Sequence, residues 1–219
     1  MKKKPSPIPE ILGTSYLPEQ LPELRGAIAI FLGRSNAGKS SLLNAVFKKD
    51  LARVSKSPGK TRSVNFYRWG PKLCLVDVPG YGFAQRSREE RDAWKELMAS
   101  FFDKVPDSAL AFLLLDGKRE PEAEEFGLID GLHERGVSTH LLLTKCDRLN
   151  QAEREARRRG LEAQFRVPGR EIPLTWSFVS AKTGEGVDAL RRRLLEYAKE
   201  IPISAPTHDP QRSRRGAGH

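Results

Sequence analysis

A loop of small and basic residues constrains the fold of this chain more than any other feature. It reads Gly-Arg-Ser-Asn-Ala-Gly-Lys-Ser from Gly33 to Ser40, between an apolar run at 27–32 and a helical pattern at 41–47. Its glycines let the backbone wrap a phosphate chain with N–H groups, and the positive end of the following helix faces the anion. A strand, such a loop and a helix, in this order, predict an α/β domain built around a phosphate site.

Two side chains of this loop have predicted roles in binding. Lys39 is expected to reach the β and γ phosphates of a nucleotide, and the Ser40 hydroxyl is expected to ligate Mg²⁺. The alternative is a Gly/Ser-rich turn without a ligand, which the flanking strand and helix disfavour. The predicted nucleotide-binding residues here are Gly33, Arg34, Ser35, Asn36, Ala37, Gly38, Lys39, Ser40 and Ser41.

The rest of the chain alternates between strand and helix patterns. Strands are predicted at 27–32, 64–69, 72–77, 109–115, 138–144 and 175–179, and helices at 41–47, 87–104, 121–135, 150–165 and 187–201. This alternation predicts the α/β, three-layer fold of P-loop NTPases. Its sheet is expected to be mostly parallel and six-stranded, with one antiparallel strand at an edge and helices on both faces.

Length and composition predict one domain with two appendages. With 219 residues, the chain suits a single α/β domain at 26–203, preceded by a proline-studded arm at 1–25 and followed by a disordered basic tail at 204–219. Two cysteines and four scattered histidines give neither a disulfide framework nor metal-ligand spacing, which favours the cytoplasm. No apolar stretch is long enough to span a membrane.

The charge of the chain exceeds what one nucleotide needs. The net charge is +10, and the isoelectric point is near 9.8. We therefore expect an anionic partner, either nucleic acid or an acidic surface. A basic protein that is merely soluble remains the alternative.

Two loops after predicted strands indicate guanine as the base. In Thr144-Lys145-Cys146-Asp147, the Asp147 carboxylate can accept hydrogen bonds from guanine N1–H and its 2-amino group, which adenine lacks. The Lys145 stem can lie over the base. The alternative for Asp147 is a helix N-cap. One strand later, Ser180-Ala181-Lys182 offers a backbone N–H for guanine O6 and a second lysine for the base face.

A third segment is predicted to meet the terminal phosphate. In Asp77-Val78-Pro79-Gly80, the carboxylate could hold Mg²⁺ through water, and the Gly80 N–H could contact the γ-phosphate. An Asp before a Pro-Gly turn is common, so this segment alone is a weak indication.

Taken together, these motifs resemble the EngB family (also called YsxC or YihA) of bacterial ribosome-assembly GTPases, within the translation-factor class. The resemblance covers residues 14 to 200. It rests on the loop from Gly33 extended to Ser41-Leu42-Leu43-Asn44, on Ser57-Pro58-Gly59-Lys60-Thr61 followed by Asn65-Phe66-Tyr67, and on Asp77-Val78-Pro79-Gly80-Tyr81-Gly82-Phe83-Ala84.

The resemblance implies a mechanism for hydrolysing GTP to GDP. It makes Pro58, Gly59, Lys60 and Thr61 a nucleotide-sensing switch, in which Thr61 closes on Mg²⁺ and the γ-phosphate. Tyr81 stands where many GTPases carry a water-orienting glutamine, which implies slow turnover that needs a partner or a cation. Asn36 occupies the position that ligates K⁺ in some relatives, although it could also hydrogen-bond its own loop. The residues expected to act in hydrolysis are Lys39, Thr61, Gly80 and Asn36.

The resemblance also implies a cellular role. We expect a cytoplasmic, monomeric conformational switch that binds rRNA in the large ribosomal subunit, contacts neither DNA nor membrane, and is linked to cell division and septation. Basic residues near the two switches would let GTP control that contact: Arg53, Lys56, Lys60, Arg62, Arg86, Arg88 and Arg91. A P-loop kinase or ATPase, and a basic RNA-binding scaffold with a weak nucleotide site, are the competing hypotheses.

Overall fold

The computed structural model describes residues 7–52, 63–82, 87–165 and 175–202, without the side chain of Phe165. Seven strands form one sheet. They are β1 (Pro9–Ser15), β2 (Ala27–Gly33), β3 (Val64–Trp69), β4 (Leu73–Asp77), β5 (Leu110–Asp116), β6 (Ser138–Thr144) and β7 (Thr175–Phe178). Five α-helices accompany them: α1 (Lys39–Phe47), α2 (Arg88–Asp103), α3 (Ala123–Glu134), α4 (Gln151–Phe165) and α5 (Val187–Glu200).

The sheet has the order β1-β3-β4-β2-β5-β6-β7. The pairs β4–β2, β2–β5, β5–β6 and β6–β7 are parallel, whereas β3 runs antiparallel to both β4 and β1. The predicted fold class, a mostly parallel sheet covered by helices, is confirmed. Because parallel strands end at the same edge of a sheet, the loops after β2, β4, β5, β6 and β7 converge there.

The structure corrects the predicted strand count from six to seven. The additional strand is β1, which lies in the segment predicted as an arm, and it displaces β3 from the edge of the sheet. Contacts with β3 hold it, including an ion pair of 2.7 Å between Glu10 and Arg68 and a hydrogen bond of 3.0 Å from Thr14 Oγ1 to Asn65 Oδ1. An irregularity between Ile11 and Gly13 interrupts its register, so no alternating pattern marks it in the sequence.

The two faces of the sheet bury separate hydrophobic clusters. In β2, Ile28, Ile30 and Leu32 join residues of α2, α3 and α4, whereas Ala27, Ala29 and Phe31 join residues of α1 and α5. This follows from the two-residue period of a strand, which sends successive side chains to opposite faces. Since all seven residues of β2 are buried, the loop that follows it starts from the most enclosed strand of the domain.

Local capping explains where two of the helices begin. The Ser87 hydroxyl accepts a hydrogen bond of 3.2 Å from the Glu90 N–H at the start of α2, as the sequence spacing predicts. At the start of α4, Asn150 and Glu153 each accept from the other's backbone N–H, at 2.9 and 2.7 Å. Among the residues described, no helix has the length and apolarity needed to cross a membrane.

Candidate nucleotide site

The loop between β2 and α1 has the conformation that phosphate binding needs. Asn36 and Gly38 both have positive φ angles, of 68° and 91°, which turn successive backbone N–H groups toward the inside of the loop. The loop ends as α1 begins at Lys39, so the positive end of that helix faces the same space. The loop predicted from Gly33 to Ser40 therefore lies at the carboxyl edge of the sheet, among the other strand ends.

Lys39 and Asp77 form a buried ion pair at the phosphate end of this site. The two residues are 8% and 2% exposed, and the Lys39 ammonium contacts Asp77 Oδ1 directly. Asp77 is the last residue of β4 and pairs in register with Phe31 of β2, which brings its carboxylate beside the loop. Removing one partner of such a buried pair would leave the other charge without compensation, so each side chain depends on the other. Val78 and Pro79 are buried next to them.

Gly80 approaches the phosphate-binding loop more closely than any side chain would allow. A Cβ atom built on Gly80 would lie 2.9 Å from the Ser35 nitrogen. The next residue, Tyr81, accepts a hydrogen bond of 3.1 Å from the Ser35 N–H through its carbonyl oxygen. The segment after β4 therefore lies directly against the loop, backbone to backbone.

The Tyr81 side chain points into the hydrophobic core rather than toward the loop. Tyr81 is 5% exposed, and its hydroxyl donates a hydrogen bond of 3.1 Å to Glu125 Oε1 on α3. Burial, together with the nearby Glu125 carboxylate, raises the pKa of Tyr81 well above its usual range, so the hydroxyl stays protonated. In this conformation the Tyr81 hydroxyl orients no water molecule in the phosphate site.

Thr144 and Lys145 connect the end of β6 to the phosphate-binding loop. The Thr144 hydroxyl lies 2.6 Å from the Ala37 carbonyl oxygen and 3.1 Å from that of Leu115. Lys145 Nζ donates to the Asn36 carbonyl oxygen at 2.7 Å and pairs with Asp116 Oδ2 at 2.8 Å. The lysine stem therefore runs along the loop, where it can cover one face of a base.

Asp147 is held by the loop that follows β7. Its Oδ1 atom accepts a hydrogen bond of 2.6 Å from the Ser180 hydroxyl, and this bond lowers the pKa of the Asp147 carboxyl. Asn150 caps α4, so the N-cap alternative for Asp147 is wrong. An ionised carboxylate in a fixed orientation is the group that guanine recognition requires.

One cavity of about 720 Å³ brings the two base loops together with the start of α1. It extends to the end of α1, where Lys48 and Lys49 lie. The predicted site residues that line it are Gly38, Ser41, Thr144, Lys145, Asp147, Ala181 and Lys182.

Some predicted site residues lie elsewhere or cannot be placed. Pro58, Gly59, Lys60 and Thr61 lie outside the described residues. Arg34 turns away from the loop and pairs with Glu122 at 2.7 Å and with Glu124 at 3.5 Å. The side chain of Asn36 is exposed and forms no hydrogen bond with another described residue.

The donor atoms around Lys39 fit magnesium bound together with a nucleotide. Ser40 and Asp77 offer oxygen ligands, which Mg²⁺ prefers, and the described residues contain no group of three acidic, His or Cys side chains that could hold a metal alone. A metal held by few protein oxygens and by substrate phosphates matches that set. When bound, Mg²⁺ would neutralise charge on the phosphates.

Two supports of the base loops were not predicted from the sequence. Asp116 ends β5 and pairs with Lys145. Burial opposes ionisation of Asp116, but hydrogen bonds from Lys145 and the Lys118 amide lower the pKa of its carboxyl. Arg154 of α4 donates to the Cys146 carbonyl oxygen at 2.9 Å and pairs with Glu185 at 2.6 Å. The position of Asp116 at a strand end was the available indication, because strand ends form the site.

The fold and this arrangement of strand-end loops define the class of P-loop GTPases. Residues 28–145 match the family described as "50S ribosome-binding GTPase". The chain is 41% identical over 179 residues to a probable GTP-binding protein EngB from Thermotoga sp. (strain RQ2), covering 82% of this chain and 90% of the relative. It is 34% identical over 187 residues to the corresponding protein of Petrotoga mobilis, covering 85% and 94%.

A solved structure agrees with these relatives. The crystal structure of a probable GTP-binding protein EngB superimposes with a TM-score of 0.60 at 26% identity, over 79% of this chain and 99% of that one. The chain belongs to the EngB family of GTP-binding proteins. Membership of this family makes it a GTPase.

Proposed function

We propose that this protein is a slow GTP-hydrolysing switch that acts in assembly of the large ribosomal subunit. The observation that carries the proposal is the position of Tyr81, whose side chain is buried against Glu125 where a water-orienting residue would otherwise stand. Without such a residue the site stabilises and positions a nucleotide but activates water poorly. A GTPase of this kind is suited to act as a timer whose hydrolysis is completed by a partner.

The description of the matching family supports the ribosome as that partner. That family is described as a 50S ribosome-binding GTPase. The net charge of +10 is suited to rRNA, whose phosphates attract basic proteins through counterion release. We also propose that the protein is cytoplasmic and monomeric and contacts neither DNA nor membrane. Its effect on cell division and septation would follow from its role in producing ribosomes.

We do not favour the arginine-rich helix α4 as the surface that would meet rRNA. Its arginines are engaged within the chain: Arg154 pairs with Glu185, Arg157 with Glu120, and Arg158 and Arg159 with Glu155. Arg88 and Arg91 at the start of α2 are exposed, and they follow the Tyr81 segment in the sequence. We therefore favour the region around the two switches, which responds to nucleotide.

We also propose roles for the ions and the switch threonine. Thr61 joins Ser40 and Asp77 around Mg²⁺ when GTP is bound, and K⁺ binds at Asn36. The exposed Asn36 side chain, which makes no hydrogen bond to a described residue, supports the second part. A monovalent cation there would offset phosphate charge in place of an arginine from a partner.

The test measures GTP turnover with and without large ribosomal subunits, in NaCl and in KCl. We expect turnover alone to be slow, below about 0.01 s⁻¹ as for unassisted GTPases, and to rise with subunits or with K⁺. Binding of subunits should depend on GTP and weaken with salt. Binding that ignores both nucleotide and salt would contradict the ribosomal role, and stronger competition by ATP than by GDP would favour a kinase or ATPase.

A further inference from the structure

Glu125 is a buried carboxylate that is not among the predicted nucleotide-binding residues, yet it is linked to both walls of the phosphate site. The residue is 1% exposed, although it belongs to the first turn of α3. Its Oε2 accepts a hydrogen bond of 2.9 Å from the Glu122 N–H, which caps the helix, and its Oε1 accepts the Tyr81 hydroxyl at 3.1 Å. The capping role explains one oxygen of Glu125 and leaves its contact with Tyr81 to be explained.

We call the Tyr81–Glu125 contact the junction. It also reaches the phosphate-binding loop, through Arg34. The Arg34 Nε atom lies 3.9 Å from Glu125 Oε1, and its Nη1 atom pairs with Glu122 at 2.7 Å. The Arg34 side chain also covers Gly82, because a Cβ atom built there would lie 2.5 Å from Arg34 Nε. Glu125 therefore binds Tyr81 directly and, together with Glu122, faces Arg34 on the other side of the contact between the loop and the segment after β4.

That contact closes the space between the two backbones. The Ser35 N–H donates to the Tyr81 carbonyl oxygen, and Gly80 packs against Ser35 so tightly that no Cβ atom would fit. The predicted contact between the Gly80 N–H and a third phosphate would fall beside this closed space. A third phosphate bound there would compete with Ser35 for the segment that Tyr81 and Glu125 contact.

We propose that Glu125 is a positioning residue that acts through Tyr81 and sets the discrimination between GTP and GDP. The inference rests on the proposed GTP switch. The Tyr81–Glu125 hydrogen bond stabilises the closed contact of Gly80 with Ser35, which GDP tolerates and GTP must open. The apparent affinity for GTP equals the affinity of the open form multiplied by the fraction of molecules that are open. Weakening the junction therefore raises GTP affinity and leaves GDP affinity unchanged.

The experiment measures the dissociation constants of GDP and of guanylyl imidodiphosphate, a GTP analogue that resists hydrolysis, by calorimetry with Mg²⁺. Tyr81→Phe removes only the hydroxyl and should tighten the analogue about tenfold while GDP changes less than about twofold. Glu125→Gln keeps one acceptor and should give a smaller gain, of about threefold. The double variant should equal Tyr81→Phe, because the two side chains form one contact.

Tyr197→Phe is the matched control. Tyr197 is half-buried, and its hydroxyl is also hydrogen-bonded, to Ile28 and Ser108 at the opposite edge of the sheet, so its loss lowers stability without touching the junction. Thermal unfolding of each variant checks folding. Equal weakening of both nucleotides in Tyr81→Phe and Glu125→Gln, or an unchanged ratio, would overturn the inference. If the unmodified protein bound neither nucleotide, the proposed GTP switch itself would be wrong, and this inference with it.

Discussion

The base end and the phosphate end of the site differ in how their polar groups are held. At the base end, two recognition side chains have partners that orient them: Ser180 holds Asp147, and Asp116 holds Lys145. At the phosphate end, the groups that would meet phosphate are paired with each other, since Lys39 contacts Asp77 and the Ser35 N–H donates to Tyr81. The base end holds its side chains in place for a ligand, whereas Lys39 and the Ser35 N–H would have to exchange their present partners for phosphate oxygens.

This difference matches the demands on a nucleotide switch. The base is identical in GTP and GDP. A preorganised base end therefore contributes the same binding free energy to both nucleotides. The third phosphate is the only difference between the two nucleotides, and it can shift a conformational equilibrium only through contacts that differ between two states. A phosphate end with exchangeable internal pairs provides such states.

The largest effect is expected at the base end, from Asp147→Asn. The amide presents a donor where guanine N1–H and its 2-amino group also donate, so GTP affinity should fall by about a hundredfold or more. Xanthine carries an acceptor at the altered position, so xanthosine triphosphate should become the preferred ligand. Competition binding with GTP, xanthosine triphosphate and ATP measures the change. If GTP remained the preferred ligand, Asp147 would not read the base.

A second prediction concerns the strands that carry the two base loops. His140 on β6 lies 2.6 Å from the Thr175 hydroxyl and 2.9 Å from the Ser177 hydroxyl on β7, so it joins these strands. Burial and, secondarily, the charge of Arg193 lower the pKa of His140 from 6.5 to about 4. The folded protein therefore keeps this ring neutral where the unfolded chain protonates it.

The direction of the pH dependence of stability follows from the number of protons that the folded and unfolded states bind. Well above pH 6.5 both states hold His140 neutral. As the pH falls through 6.5 toward 4, the unfolded state gains the proton and the folded state does not, so stability is lost. Between pH 7 and pH 5 this group should remove about 2 kcal/mol from the free energy of unfolding. Urea titrations at pH 7 and pH 5 measure the free energy of unfolding. The decrease between the two pH values should be smaller by about 2 kcal/mol in His140→Gln than in the unmodified protein. An equal pH dependence in the two proteins would show that His140 titrates normally when folded.

The sequence predicts well what depends on nearby residues. The strands at Val64–Trp69 and Ser138–Thr144 have the predicted bounds, and Ser87 caps α2 at the predicted spacing. Strand-end loops follow from these elements, because parallel strands place their carboxyl ends together. The sequence alone therefore predicts that the base motif at Thr144 lies beside the Gly33 loop.

What the sequence does not predict depends on contacts between distant segments. The strand β1 has no alternating pattern and is stabilised by pairing with β3, some fifty residues further on. Glu125 has the appearance of an ordinary acidic residue in the first turn of a helix, and only the fold brings it to Tyr81, 44 positions away. Neither propensity nor spacing encodes such pairs, which tertiary packing decides.

The smallest predicted effect tests whether the base end is in fact preorganised. Ser180→Ala removes the hydroxyl that orients Asp147 but leaves the carboxylate itself, so GTP and GDP should both weaken by about threefold to tenfold. Ser177→Ala is the matched control, because its hydroxyl contacts His140 on the same side of the domain and does not touch Asp147. Calorimetry with both nucleotides separates the cases. If only GTP affinity fell, Ser180 would act on the phosphate end. The base end and the phosphate end would then be coupled, and the base end would not be preorganised independently of the phosphates.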